Sequence, residues 1–522
     1  MRPSTCYARL VTFILPCLFC IASTSYGLPF TIVPASTLPT TVSVGGTVPA
    51  FYTVTNNTAQ PRSGNYVKWL PPNVTQMTSA GLCGISFNLG ASGSVNASCV
   101  LGLTVSGPVN ANDPNPHHHL FVCFPGGITC AGTNYPLNIA GSTTLAFAAV
   151  GESFNSLGSN ELPLAYTSSD NGQDWTLSPA FILPSGQTQG QLLDFNCGGN
   201  TCTSVGSTFG INELPVAYTS SDGGINWSLS SSFLLPGGQT SGSLSGIACV
   251  NNLCATVGSS ISSLNLSSPL TYTSNNGGSN WGSPSSPSLP GSQTEGILTS
   301  VACTGSICTA VGNSFQSPNI NFLPLVYTSN NSGNSWTLSP ALPLNLPQPQ
   351  GTLNGVTCIG SMCTAVGTSF QAGGGNQLPL AYTSNDSGNS WTLSASLPLN
   401  LPQPEGQLNA VTCTGNFCIA VGTSFQAGGG NQLPLIYTSN DSGNHWTLTP
   451  ALPNLPQPQG ILNLVTCLGN ICAAMGESFQ AGRTNELPLV YTSNDSGNTW
   501  TPSSPLPLPS GQSQGALGAG GF

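Results

Sequence analysis

Charge is what this sequence has least of. Only 4% of its 522 residues are Asp, Glu, Lys or Arg, against roughly a quarter in an average soluble chain. Beyond residue 27 the basic side chains are Arg62, Lys68 and Arg483, facing 15 acidic ones. Such a chain has no counter-charge for phosphates, which makes nucleic acid and anionic membrane surfaces poor partners. Long apolar runs are missing as well. After residue 27 none is long enough to cross a bilayer as a helix, so membrane insertion is not expected. The slightly positive mean hydropathy reflects missing charge and not a concealed span.

What is present is turn and strand material. Gly (63) and Pro (43) are abundant, yet 39% of residues are hydrophobic and recur in short patterned runs. Disordered segments lack such runs, so the composition predicts an all-β chain with many tight turns. Residues 1–27 read as a secretory signal: Arg2 and Arg9 precede the apolar stretch Val11–Ala22, and Ser25 and Gly27 suit cleavage. Three cysteines (Cys6, Cys17, Cys20) fall in that leader. The remaining 16 fall in close pairs, as disulfides of an oxidising compartment would. Zinc is the alternative for paired cysteines, but its sites need two pairs to converge, and evenly spread pairs do not. The expected location is therefore secreted, at the cell surface or in the periplasm.

One unit recurs seven times, clearest at Val411–Pro453, VTCTGNFCIAVGTSFQAGGGNQLPLIYTSNDSGNHWTLTPALP. Its anchors are Trp175, Trp227, Trp281, Trp336, Trp391, Trp446 and Trp500, at intervals of 52–55 residues. Each unit holds four strand-like runs separated by Gly, Asn, Ser or Pro. In the sixth copy these are Leu408–Thr412, Ile419–Phe425, Leu435–Thr438 and His445–Thr449. Four strands per unit predict the blades of a seven-bladed β-propeller over residues 138–522, with an open solenoid as the competitor. The ends favour closure. The first copy lacks a cysteine pair, and the C-terminal LPSGQSQGALGAGGF matches the opening of a further unit, LPGSQTEGILTSVAC. The last residues are thus expected to complete the first blade and leave no free sheet edge.

Before each tryptophan stand SSDNGQDW, SSDGGINW, SNNGGSNW, SNNSGNSW, SNDSGNSW, SNDSGNHW and SNDSGNTW. This resembles the Asp-box of the bacterial neuraminidase (BNR) repeat, S-x-D-x-G-x-x-W, over all seven copies. The resemblance implies a fold staple: Asp170, Asp222, Asp386, Asp441 and Asp495 bond nearby amides, with Asn276 and Asn331 standing in for Asp. Six copies carry C-x₄-C pairs flanking the turn between the first two strands: Cys197/Cys202, Cys249/Cys254, Cys303/Cys308, Cys358/Cys363, Cys413/Cys418 and Cys467/Cys472. Residues 28–137 lack the repeat. Alternating runs there predict a small β-sandwich with Cys83/Cys99 and Cys123/Cys130 as bridges, and CGISFNLGASGSVNASCVLGLTV is similar to Ig-like modules of bacterial surface proteins. His117, His118 and His119, near Asp113, are the one conspicuous polar run. Neighbours in a strand point to opposite faces, so His117 and His119 are weak metal candidates beside a solvated turn.

Asp-box propellers include sialidases, whose resemblance implies three arginines clamping the substrate carboxylate. Arg483 is the only Arg or Lys in residues 138–522, so the clamp cannot be built and sialidase activity is excluded. The resemblance also reaches photosystem assembly-factor propellers, whose arginine patch is absent, and sortilin-type propellers, which have more blades. Outside the Asp-boxes the propeller acids are Glu152, Glu161, Asp174, Asp194, Glu213, Glu295, Glu405, Glu477 and Glu486. Copies one and seven both read GESF and then NELP, which makes Glu152, Glu161, Glu477, Arg483 and Glu486 the candidate ligand-binding seam. They are expected in the loop between second and third strands, on the face opposite the Asp-boxes. Drift on exposed loops is the bland alternative. The sequence reads as a monomeric, cofactor-free binding or adhesion protein for a glycan or protein ligand. The alternatives are a glycoside hydrolase using these glutamates and a structural envelope protein.

Overall fold

The computed structural model describes residues 28–521 apart from 43–46, 80, 107–108, 112, 114, 128, 142–146, 199, 319, 341, 343–347 and 396. The proposed leader lies outside the described residues. The chain divides into two compact units, Met1–Thr40 with Val48–Ala140, and Thr41–Thr47 with Gly141–Phe522.

The first unit holds two four-stranded antiparallel sheets. One orders Phe30–Pro34, Val48–Asn56, Ser98–Val105 and Val74–Gln76; the other orders Ser86–Leu89, Arg62–Trp69, Phe121–Cys123 and Cys130–Gly132. The two-residue side-chain period is plain in Val48–Asn56, where Ala50, Tyr52, Val54 and Asn56 are buried and the residues between them are not. Phe30 meets Phe124 edge to face at 4.8 Å between ring centroids. Cys83–Cys99 and Cys123–Cys130 are disulfides.

The second unit is a β-propeller. Among the described residues, seven sheets follow one another along the chain, and the last six are each a meander in sequence order. They are numbered one to seven here. Sheet one comprises Phe147–Phe154, Leu162–Ser168 and Thr176–Leu177, and its innermost strand is Gln514–Gly521 from the far end of the chain. The innermost strands of sheets two to seven are Gln189–Gly198, Gln239–Val250, Glu295–Thr304, Gln350–Ile359, Glu405–Thr414 and Gln459–Leu468. Sheet three has three strands, with the isolated bridge Thr271–Ser285 where the others place a fourth strand.

Each inner strand carries a bulge one residue after a buried leucine, for example between Leu353 and Gly355 or Leu408 and Ala410. The bulge drives a carbonyl into the second strand, and only glycine leaves room for it. A Cβ on Gly206, Gly312, Gly367, Gly422 or Gly476 would lie 2.0–2.1 Å from that oxygen. Successive sheets are stitched by side chains at fixed repeat positions. Thr299 Oγ1 donates to the Leu353 carbonyl (2.8 Å), and Asn354 and Asn409 Nδ2 to Leu408 (2.8 Å) and Leu462 (2.9 Å). Asn463 Nδ2 donates to Leu517 at 3.1 Å, which joins sheet seven to sheet one.

The seven turns that precede the tryptophans share one geometry. The serine hydroxyl donates to Oδ1 of Asp or Asn at 2.7–2.9 Å and accepts from the glycine amide at 2.8–3.0 Å in all seven copies. Asn276 and Asn331 make the same bonds because these need only the amide oxygen. Trp175, Trp391, Trp446 and Trp500 are buried; Trp227, Trp281 and Trp336 are partly so.

Six disulfides clamp the first two strands of sheets two to seven: Cys197–Cys202, Cys249–Cys254, Cys303–Cys308, Cys358–Cys363, Cys413–Cys418 and Cys467–Cys472. Each joins directly opposed residues of the ladder. The pairs flank the turn between the first two strands, as expected, and one member of every pair is buried. The second-strand cysteines Cys202, Cys254, Cys308, Cys363, Cys418 and Cys472 are only 0–2% exposed and belong to the apolar core, while their first-strand partners are half-buried. The reason is the strand period. Each second-strand cysteine sits on the face that packs against a neighbouring sheet, in a cluster with the tyrosine of its own third strand. These bridges are core elements of the scaffold.

Candidate functional site

A cavity of about 500 Å³ opens where the inner strands of sheets one, two, three, six and seven converge. Ser245, Gln407, Asn409 and Asn463 give it neutral polar walls, and Glu152, Glu477 and Arg483 give it charge. The bulge at each inner strand presents these walls. The corresponding repeat position reads Leu193, Ser245, Thr299, Asn354, Asn409, Asn463 and Gly518, a variation that is visible in the sequence but unremarkable without the bulge.

The glutamates are placed differently from expectation. Glu152 and Glu477 do not sit in loops. They lie on the second strands, opposite Ala516 and Ile461 of the inner strands. Both line the cavity, and the Glu477 side chain is only 5% exposed. Glu161 directly precedes the third strand of sheet one, and Glu486 lies on the third strand of sheet seven. Their amides donate to Gln189 Oε1 (3.1 Å) and Gln514 Oε1 (2.9 Å) of the next sheet.

Arg483 neutralises the pair in sheet seven. Its Nη2 donates to Glu477 Oε1, its Nε donates to Glu486 Oε1 at 3.1 Å, and its guanidinium carbon lies 5.0 Å from the Phe479 ring centre. Burial pushes Glu477 up to about 7 although Arg483 pulls the other way. Burial would lower Arg483, but the two carboxylates outweigh it and hold its pKa above the ordinary value. Among the described residues, the pair in sheet one has no cation of its own. Burial, the adjacent Glu161 carboxyl and the charges of Glu477 and Glu486 all push Glu152 well above the carboxylate range. No N–H or hydroxyl donor reaches its buried Oε2. In sheet two, Glu213 stands at the place of Glu161; burial raises it, the Ser207 hydroxyl opposes and Glu161 adds to the rise.

Other acids are absorbed by the fold. Glu295 Oε2 accepts the Ser267 amide (3.0 Å) and Glu405 Oε1 the Asn376 amide (2.8 Å), the role that Gln350 and Gln459 fill elsewhere in the ring. Asp194 accepts the amides of Phe195 and Ile247, both at 2.8 Å, which ties sheet two to sheet three. Burial raises its pKa to about 7 against the pull of those two bonds.

In the first unit the histidines form a 3₁₀ turn, Pro116–His118, and not a strand. His118 Nδ1 bonds Asp113 Oδ2 (2.8 Å), His119 Nε2 bonds the Asp113 carbonyl (2.8 Å) and His117 stacks on Trp69. Among the described residues, no group of three or more His, Cys, Asp or Glu is arranged to hold a metal ion. His118 and His119 edge a second cavity, of about 420 Å³, lined mainly by proline and apolar side chains.

No family model matches the chain, and no curated protein matches it. Among solved structures it is similar to YCF48 bound to D1 peptide at 15% identity, over 62% of this chain and 84% of that one, with a TM-score of 0.37. It is also similar to the Aleuria aurantia fungal lectin, a six-bladed propeller, at 13% identity over 61% and 96% (TM-score 0.37). A third is the Penicillium chrysogenum α-L-arabinanase complexed with arabinobiose, at 12% identity over 59% and 97% (TM-score 0.34). Likenesses this distant carry no argument about ligand or reaction. Among the described residues no helix is long and apolar enough to cross a membrane.

Proposed function

We propose that this chain is an exported, non-catalytic binding or adhesion protein. In this reading the seven sheets are the blades of a seven-bladed Asp-box propeller over residues 138–522. They follow an Ig-like sandwich at 28–137 and a leader at 1–27. Six disulfides between directly opposed strands suit a protein that works in an oxidising compartment. The observation that carries the binding reading is the convergence of Gln407, Ser245, Glu152, Glu477 and Arg483 on one cavity, whose walls also include the inter-sheet stitches Asn409 and Asn463, while Glu295, Glu405 and Asp194 serve the scaffold alone. Amide and hydroxyl walls around a cleft of this size suit the hydroxyls of a glycan or the polar atoms of a peptide.

One observation favours a glycoside hydrolase as the second reading. Glu152, biased toward its protonated form, and Glu477, paired with Arg483, line the same cavity. A retained proton on one carboxyl and charge on another is the division of labour that glycosidic hydrolysis uses. A glycan array with product release followed in the same wells separates the two. Binding without turnover supports the adhesin reading. Turnover abolished by Glu152→Gln or Glu477→Gln replaces it with the hydrolase. A chain that binds no glycan in any well is left with a protein ligand or a structural envelope role.

A further inference from the structure

Sheets one and seven carry the same glutamates in the same places, and one of the two pairs holds a guanidinium. Glu477 and Glu486 close on Arg483. The equivalent pair, Glu152 and Glu161, has at the matching hairpin position Gly158. The correspondence is geometric as well as sequential. Gly158 and Arg483 share a left-handed backbone (φ 66° and 53°), as do Asn160 and Asn485 two residues on (58° and 57°). The hairpins close alike, with the Asn155 amide on the Ser159 carbonyl where Gln480 pairs with Thr484. Glu152 lines the cavity; no N–H or hydroxyl donor reaches its buried Oε2, and its carboxyl shares a hydrogen bond with that of Glu161.

We propose that the Glu152–Glu161 pair is a subsite for a guanidinium group of the ligand, which takes the place that Arg483 fills in the neighbouring sheet. This rests on the cavity being the ligand site. A planar fork of N–H donors matches two carboxylates as a point charge does not. The charged groups facing the pair are Glu477, Glu486, Glu213 and Arg483, and Arg483 is already neutralised by its own two partners. Burial and crowding hold Glu152 protonated when the subsite is empty. An entering guanidinium therefore releases that proton to the buffer, leaving two carboxylates around one cation.

The test titrates the mature full-length protein with N-acetyl-arginine methylamide by calorimetry near neutral pH, in two buffers of different ionisation enthalpy. Glucosamine serves as the competing amine. Binding of the arginine probe with a buffer-dependent heat is expected. Glu152→Gln should weaken it at least tenfold and remove the buffer dependence. Gly158→Arg places an internal guanidinium where a Cβ meets nothing within 4 Å, on the left-handed backbone that Arg483 adopts in sheet seven; it should abolish probe binding. Undiminished binding to Gly158→Arg, or no binding to the wild type, overturns the subsite. Tighter binding of glucosamine overturns the guanidinium assignment in favour of an amino sugar. A glycan or peptide ligand that binds wild type and Gly158→Arg equally, yet is lost on Asn409→Ala, would sink the subsite while sparing the cavity. Loss of neither would sink both.

Discussion

Sheets one and seven are neighbours with nearly the same sequence around the cavity and opposite ways of being held. Sheet seven is one continuous stretch of chain, clamped by Cys467–Cys472 and with its glutamates closed on Arg483. Sheet one is assembled from both ends of the propeller and has no cysteine pair. Its inner strand reads QGALGAGG, with little side chain to pack, and its glutamates lack a matching arginine. The seam between them is held by Asn463 on the Leu517 carbonyl, Gln514 between the Glu486 amide and the Asn155 carbonyl, and Gln512 on the Asn160 carbonyl. A repeat that is uniform in sequence is therefore expected to be uneven in stability, with the candidate site at its weakest joint.

The largest effect is expected from removing the strand that closes the ring. A chain ending at Ser513 loses the whole pairing of Gln514–Gly521 with Phe147–Phe154. A loss above about 5 kcal/mol is expected, with amide exchange rising first in sheet one and last in sheets four to six. Equal protection across all sheets would show that the seam is not the weak point. Next in size is the close glycine. A Cβ at Gly476 would lie 2.0 Å from the Ile461 carbonyl, and one at Gly151 2.0 Å from Ala516. Sheet seven, pinned by its disulfide, has less freedom to move its inner strand aside than the terminal strand of sheet one. Gly476→Ala is expected to cost about 3 kcal/mol, and Gly151→Ala measurably less, by urea denaturation. The reverse order would mean that the free terminus is the stiffer partner.

These glycines show where reading the chain by itself stops. The unit length, the strand meander and the turns before the tryptophans follow from period-two runs and local turn chemistry, which the sequence displays directly. Glu152 and Glu477 occupy the place of Thr423, inside the second-strand run Ile419–Phe425, so their strand position is legible in the repeat; that this stretch lines a cavity is not. Assigned to loops, the two glutamates look like surface drift; on the second strand they line the cavity. Glu295 and Glu405 pose the converse problem. By residue type they resemble candidates, and only their bonds to the Ser267 and Asn376 amides identify them as substitutes for the glutamines at the same position. The cysteine pairs are legible as bridges from their spacing, but the burial of Cys202 or Cys418 depends on which face of the second strand meets the next sheet. The histidine run is the solvated turn that the sequence reading prefers, and Pro116 opens it as a 3₁₀ turn.

A smaller change makes sheet seven more like sheet one. Replacing Cys467 and Cys472 together by alanine, which puts no hydroxyl into the core at the fully buried position 472, removes a loop constraint worth about 2 kcal/mol. The backbone pairing of the two strands and the Arg483 bridges remain. Denaturation should show that loss without a change in the exchange of sheet one. A much larger loss would mean that the disulfide, and not the cation, holds the sheet-seven side of the cavity.

The smallest effect is a slope. Glu152 keeps its proton to a higher pH in the folded chain than in the unfolded one, where its ordinary value is 4.5, and Glu477 does so up to about 7. Through that window the folded chain binds more protons, so these groups make stability fall as pH rises. The aspartates of the turns before the tryptophans have the opposite sign. Asp222 and Asp495, each bonded to several backbone and side-chain donors, have depressed values. Their stabilising contribution is present above the unfolded pKa and is lost only in stronger acid. Between about pH 5 and about pH 8 the wild type should therefore lose stability as pH rises. Glu152→Gln removes the largest contributor, so its stability should depend less on pH over the same range. Asp194, raised to about 7, leaves a residual slope of the same sign. Glu477→Gln should flatten the profile less cleanly, because it also takes one of the two carboxylates from Arg483. An unchanged slope in Glu152→Gln would mean that the sheet-one pair is ionised at neutral pH despite its burial. The two sheets would then differ in sequence but not in charge state, and the case for an incoming cation would lose its electrostatic half.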